Sequence, residues 1–211
     1  MFKDRNDGGE QLALLLQEYK NSDAIIFALP RGGVVIGYEI AKLLDLPLEL
    51  IITRKIGHPD YPEYAIGAVS ETGKYIINKN EFVDEKWLKE EIKNKQNEAV
   101  RRKKVYCGGR EEVNIKDKTA IIVDDGVATG LSLSLAIQEI RAKEPMKIVV
   151  AVPVISQDVA YSISKISDKL VAIEVIEGDF GSVGNYYLSF PQVSDREVIK
   201  ILSKIWEKRQ S

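Results

Sequence analysis

The chain has 211 residues, 45% of them hydrophobic, which is enough for one packed domain. Lys and Arg number 30 against 32 Asp and Glu, a net charge of −2, so the composition gives no support for a general nucleic-acid or membrane surface. Cys107 and His58 are each the only residue of their kind, which excludes an intrachain disulfide and argues against a histidine-rich zinc site; a lone thiol suits a reducing cytosol.

No apolar run approaches the ~20 residues needed to span a membrane. The start, Met1-Phe2-Lys3-Asp4-Arg5, carries no apolar signal region. Leu12, Leu15, Leu16 and Tyr19 are spaced for one helix face. Ala24 to Leu29 reads as a buried strand, broken by Pro30-Arg31-Gly32-Gly33. Ile36, Ile40, Leu43 and Leu44 give a second helix face, and Leu48 to Ile52 a second buried strand. This alternation predicts an α/β fold with a parallel sheet.

From Thr53 to Asn80 the pattern changes to Gly, Pro and Tyr with two β-like runs, Ala65–Val69 and Lys74–Ile77, which predict a hairpin-like flap. Phe82 to about Tyr106 is a charged helix with a narrow stripe of Leu88, Ile92 and Ala99, stopped by Cys107-Gly108-Gly109. Its Arg101-Arg102-Lys103-Lys104 run reads as a solvated face. The alternation resumes with strand Thr119–Asp124, a helix buried through Leu133, Ala136, Ile137 and Ile140, strand Lys147–Val154, a short helix from about Gln157, and strand Leu170–Ile176. Glu177 to Val193 is rich in Gly and aromatics. A last helix starts at Ser194 with Glu197 at capping-box spacing and buries Val198, Ile201, Leu202 and Ile205. The expectation is one domain: a Rossmann-like core of about five parallel strands over residues 20–176, including the flap at 53–80, under a small hood made from the N-terminal segment and 177–211.

Ligands of open parallel sheets bind at the carboxyl ends of the strands. Three loops fall there, after Leu29, Ile52 and Val123. The third is the most informative. An apolar strand ends in Asp124-Asp125, and Gly126 to Ser132 then forms a loop of small and hydroxyl residues before a helix. Two carboxylates can take a sugar diol, while loop N–H groups and the helix dipole take a phosphate. Gly126 and Gly130 allow close approach, Thr129 and Ser132 add hydroxyls, and Leu131 serves through its backbone. No Gly-Lys-Ser/Thr is present, so this is not a Walker loop.

This run resembles the phosphoribosyl-pyrophosphate (PRPP) motif of type I phosphoribosyltransferases. The resemblance extends to Leu29-Pro30-Arg31-Gly32-Gly33, Arg54-Lys55-Ile56-Gly57, Pro62-Glu63, Ala65–Val69, Ala151–Val154 and the tail aromatics, and so covers most of the chain in order. It implies that Asp124 and Asp125 hold the ribose hydroxyls and that Ala128, Thr129, Gly130, Leu131 and Ser132 cradle the 5′-phosphate. Arg31, Gly32 and Gly33 would be the pyrophosphate loop, where such proteins often hold a non-proline cis peptide. Arg54 and Lys55 would neutralise leaving pyrophosphate, and either Glu63 or Glu71, in or beside the flap, would handle the acceptor's proton once the flap closes. Phe180, Tyr186 and Tyr187 either stack an aromatic acceptor or form the hood's own core. Mg²⁺ is the implied cofactor, held mostly by substrate and water with Asp124 and Asp125 as protein oxygens. A nitrogenous acceptor, a cytoplasmic location and a homodimer complete the implied picture.

Ala128 stands where hypoxanthine-guanine enzymes carry an aspartate. The Ala-Thr-Gly run looks more like adenine phosphoribosyltransferases, which weakens a 6-oxopurine acceptor. A PRPP- or nucleotide-sensing regulator on the same fold is the rival reading.

Overall fold

The computed structural model describes residues 1–207; residues 208–211, the end of the expected hood, lie outside them. A five-stranded, all-parallel sheet forms the centre, in the spatial order β2 (Leu48–Leu50), β1 (Ile25–Ala28), β6 (Thr119–Val123), β7 (Lys147–Ser156) and β8 (Lys169–Ile176). The parallel α/β expectation is met.

Because side chains alternate across a strand, each strand feeds two cores. Ile26, Ala28, Ile121 and Val123 face α2 (Gly32–Leu44) and α6 (Asp195–Glu207). Ile25, Phe27, Ala120 and Ile122 face α4 (Leu131–Arg141) and α5 (Gln157–Ser164). Burial on both faces explains why these strands read as unbroken apolar runs. The chain leaves β1 toward β2 on one side and β6 toward β7 on the other, so the strand order reverses between β1 and β6. That switch point opens a crevice at the strand ends.

The flap differs from a simple hairpin. Thr53–Gly57 is itself a strand, β3, and it pairs antiparallel with β4 (Ala65–Ser70), which pairs with β5 (Tyr75–Ile77). Its charged pair Arg54-Lys55 hides the strand from an apolar pattern, since only Thr53 and Ile56 are buried. This sheet is packed down, not free: Ile56, Ile66 and Val69 are buried against Trp87, Leu88 and Ile92 of α3 (Glu85–Cys107). Asp84 caps α3 by accepting the Trp87 N–H at 2.8 Å, and Gly108 ends it in the left-handed region.

The first helix, α1 (Arg5–Leu15), corrects one expected face: Leu12, Leu16 and Tyr19 are buried, but Leu15 is 52% exposed. The helix lies close to α2 through the small residues Gly8, Gly9 and Ala13, so its contact stripe is narrower than leucine spacing suggests. The N-terminal segment meets the strip after β8. Phe2 exchanges main-chain hydrogen bonds with Tyr186 and Leu188, both 2.8 Å. The capping box at α6 is formed, with the Ser194 N–H donating to Glu197 at 2.7 Å and the Glu197 N–H to Ser194 at 3.2 Å.

Candidate active site

The crevice brings the β1 and β6 loops into direct contact. The Leu29 N–H donates to Val123 O at 3.0 Å, and the Pro30–Arg31 peptide bond that follows is cis. The turn then lies against the acids so closely that side chains are excluded. A Cβ on Gly33 would stand 2.9 Å from Val123 O, and one on Gly32 only 1.7 Å from Asp125 Oδ2. The Pro-Arg-Gly-Gly segment is therefore the wall behind the carboxylates.

Asp124 and Asp125 are half-buried. Asp124 Oδ1 accepts the Asp125 N–H at 2.8 Å. Burial, reinforced by the neighbouring charge of Asp125, pushes the Asp124 carboxyl well above its ordinary range. Asp125 is also raised by burial, against the pull of Arg5. Arg5, which no motif in the sequence marks, is the partner of Asp125. Its Nε donates to Asp125 Oδ2 at 2.7 Å and its Nη1 to Pro191 O at 2.8 Å, and the guanidinium stacks 3.6 Å above the Phe190 ring. Arg5 lies 120 residues from Asp125 in sequence, and no local pattern marks it.

The loop after the acids enters α4 directly. Ala128 and Thr129 are exposed, and Gly130 is the N-cap at φ 72°. No side chain caps this first turn, which leaves its N–H groups available to an anion. The loop is anchored from behind, since Val127 N–H donates to Val154 O at 3.0 Å and Ser156 Oγ–H to Ala128 O at 3.2 Å.

Arg54 and Lys55 diverge. Arg54 forms an ion pair with Glu98 at 3.1 Å, while Lys55 Nζ donates to both the carbonyl and the carboxylate of Glu63, each at 3.0 Å. They share a cleft of about 510 Å³ with His58, Glu63, Trp87 and Glu91. Glu71 stands apart from this cleft, and its carboxylate accepts from Lys103 at 2.9 Å.

The structure decides between the two readings of the tail aromatics and changes the reading of one charged run. Phe180 and Tyr187 are buried with Phe2 and Val154, and Tyr186 packs on Phe180 with ring centroids 4.9 Å apart. Phe180 and Tyr187 are thus committed to the hood's core, with Tyr186 partly buried beside them. Tyr187 works at the site in another way: its hydroxyl donates to Asp125 O at 2.5 Å, and burial raises that phenol above its usual range. The Arg101–Lys104 run is not uniformly solvated either, because Arg102 is only 8% exposed. Trp206 packs against β2, with Nε1–H donating to Leu48 O at 2.9 Å.

An open parallel sheet with a two-carboxylate crevice at its switch point defines an α/β protein of the doubly wound class. The chain belongs to the phosphoribosyl transferase domain family, whose pattern it matches over residues 7–184. It is 34% identical over 208 residues to the Mycobacterium tuberculosis H37Rv protein named "Putative phosphoribosyl transferase Rv0571c". That match covers 97% of this chain and 47% of the relative, so the chain spans about half the length of the curated relatives it matches. It is also similar to the crystal structure of TT1426 from Thermus thermophilus, at 34% identity and a TM-score of 0.78, covering 96% of this chain and 98% of that one. Among the described residues no helix is long and apolar enough to cross a membrane.

Proposed function

We propose that this protein transfers the 5-phosphoribosyl group of PRPP to a nitrogenous acceptor and releases pyrophosphate. One observation carries the reading: a half-buried acid pair, a glycine turn against it and an uncapped helix start converge at the switch point. Asp124 and Asp125 take the ribose hydroxyls. The backbone of Ala128 to Ser132, with Gly126 before it, takes the 5′-phosphate. The Arg31-Gly32-Gly33 turn faces the pyrophosphate, with Arg54 and Lys55 drawing off the charge that builds as the C1–O bond breaks. Glu63, hydrogen-bonded to Lys55, receives the acceptor's proton.

The acid pair also fits Mg²⁺. It offers hard carboxylate oxygens, and a cation would reverse the burial that makes the Asp124 charge costly. Mg²⁺ at such a pair would take most of its ligands from substrate and water. When bound, Mg²⁺ would supply charge neutralisation at the pyrophosphate oxygens. The family resemblance extends the proposal to a cytoplasmic homodimer serving nucleotide metabolism, with an acceptor outside the 6-oxopurines because Ala128 brings no carboxylate to the base.

The test is incubation with Mg-PRPP and a pool of nucleobases, reading pyrophosphate and new nucleotides by mass spectrometry. Nucleotide formation, lost in the folded Asp124→Asn/Asp125→Asn double variant, is the expected result. PRPP affinity unchanged in that variant would remove the ribose assignment, and tight PRPP retention without product would select a sensor.

A further inference from the structure

Beside the glycine turn, four guanidiniums from a strand, a helix and a loop crowd around two carboxylates. Arg54 of β3 and Arg102 of α3 both reach Glu98 Oε1, at 3.1 and 2.9 Å. Arg31 and Arg101 both reach Asp195, the first residue of α6, at 3.6 and 3.9 Å. The Tyr106 hydroxyl donates to the same Asp195 carboxylate at 2.7 Å. The charge is thus out of balance locally, four positive against two negative.

The contacts are also incomplete. Charge-assisted N–H···O bonds close to ~2.7–2.9 Å, so both Asp195 pairs are loose. Arg102 is only 8% exposed, yet its Nε finds no partner, and neither does the buried Nε of Arg54. Burying guanidinium donors without acceptors is costly. Arg54 registers this arrangement: burial, then the charge of Arg102, pulls it below the usual guanidinium range.

We infer that Arg31, Arg54, Arg101 and Arg102 form one polyanion site beside the glycine turn, and that Asp195 is its internal occupant, displaced when a diphosphate binds. A carboxylate brings two oxygens and one charge to this place. A diphosphate brings more of both and can reach donors that Asp195 leaves at 3.6 and 3.9 Å. Arg101 and Arg102 thereby acquire a role that the solvated-face reading denied them. Asp195 makes the seating of α6 respond to what the arginines hold. The choice of diphosphate as ligand rests on the phosphoribosyl reading; the site itself does not.

The experiment is calorimetric titration of the full chain with inorganic pyrophosphate in magnesium-free buffer. Asp195→Asn removes the competing charge and tightens binding by about threefold or more, whereas Arg101→Gln weakens it by about tenfold, the scale of one charge-assisted contact. Asp195→Ser serves as the second variant if the asparagine fails to fold, with circular dichroism as the check. Binding that is unchanged or weaker in both folded Asp195 variants, or unchanged in Arg101→Gln, overturns the inference. The two readings fail separately. Arginine-dependent pyrophosphate binding without any PRPP binding removes the proposed function and leaves this site standing. PRPP turnover with pyrophosphate binding indifferent to Asp195 and Arg101 does the opposite.

Discussion

Replacing Gly32 with alanine tests how the glycine turn and the acid pair depend on one another. The new Cβ would fall 1.7 Å from Asp125 Oδ2, 2.4 Å from its Cγ and 2.9 Å from Arg5 Nε. Every one of these atoms belongs to a side chain, so the backbone can stay and Asp125 must rotate away from Arg5. What is lost is the 2.7 Å bond between them. A hydrogen bond to a charged group contributes about 1.5–3 kcal/mol, so Gly32→Ala should cost about 2 kcal/mol. For a domain of this size that lowers the melting temperature by about 4–8 °C. Urea titration of the single variants and of a cycle with Arg5→Met measures it. In the Arg5→Met background no bond remains to break, so the added cost of Gly32→Ala should drop below about 1 kcal/mol. A full loss of about 2 kcal/mol in that background would refute the argument and place the cost in the backbone. PRPP affinity should fall with the displaced carboxylate in Gly32→Ala.

Further outcomes are expected. Lys55→Ala should lower turnover more than PRPP affinity in steady-state and binding assays, since its proposed work is on the departing pyrophosphate; the reverse ordering argues against a transition-state role. Asp124 has a raised carboxyl, so the folded state binds more protons than the unfolded one above the ordinary value of 3.8, and its contribution falls as pH rises through that window. Asp124→Asn should flatten that fall in urea titrations run across pH. Glu112 acts in the opposite sense. Hydrogen bonds from Lys103 and Lys143 hold it down to about 2, so its stabilisation is present above 4.5 and is lost as pH drops toward 2. Glu112→Gln should therefore cost stability at pH 7 and make acid unfolding less steep over that range.

How much of this was legible in the sequence depends on where the deciding contact lies. The strands around Ile25, Ile121 and Val149 are buried on both faces, so their runs announce themselves. The acid pair and its loop are contiguous, so their chemistry can be read locally. Arg5 cannot be read this way, because its meaning comes from a partner 120 residues away. The hood aromatics were ambiguous for a related reason. A cluster of Phe and Tyr looks the same whether it stacks on a ligand or on Phe2, and only tertiary packing separates the two. Strand β3 was hidden because its charged residues face a cleft and α3, where a polar side chain is well accommodated but breaks the apolar run.

Asp125 is held by segments made well before and well after it. The carboxylate is made at position 125, its guanidinium partner at position 5 and the phenol that holds its carbonyl at position 187. Synthesis runs from the N-terminus at ~5–20 residues per second. A nascent chain that has just released β8 already owns every strand of its parallel sheet, yet it lacks the tail that sets Asp125 in place. The setting of Asp125 is accordingly completed only after the sheet that carries it has been made.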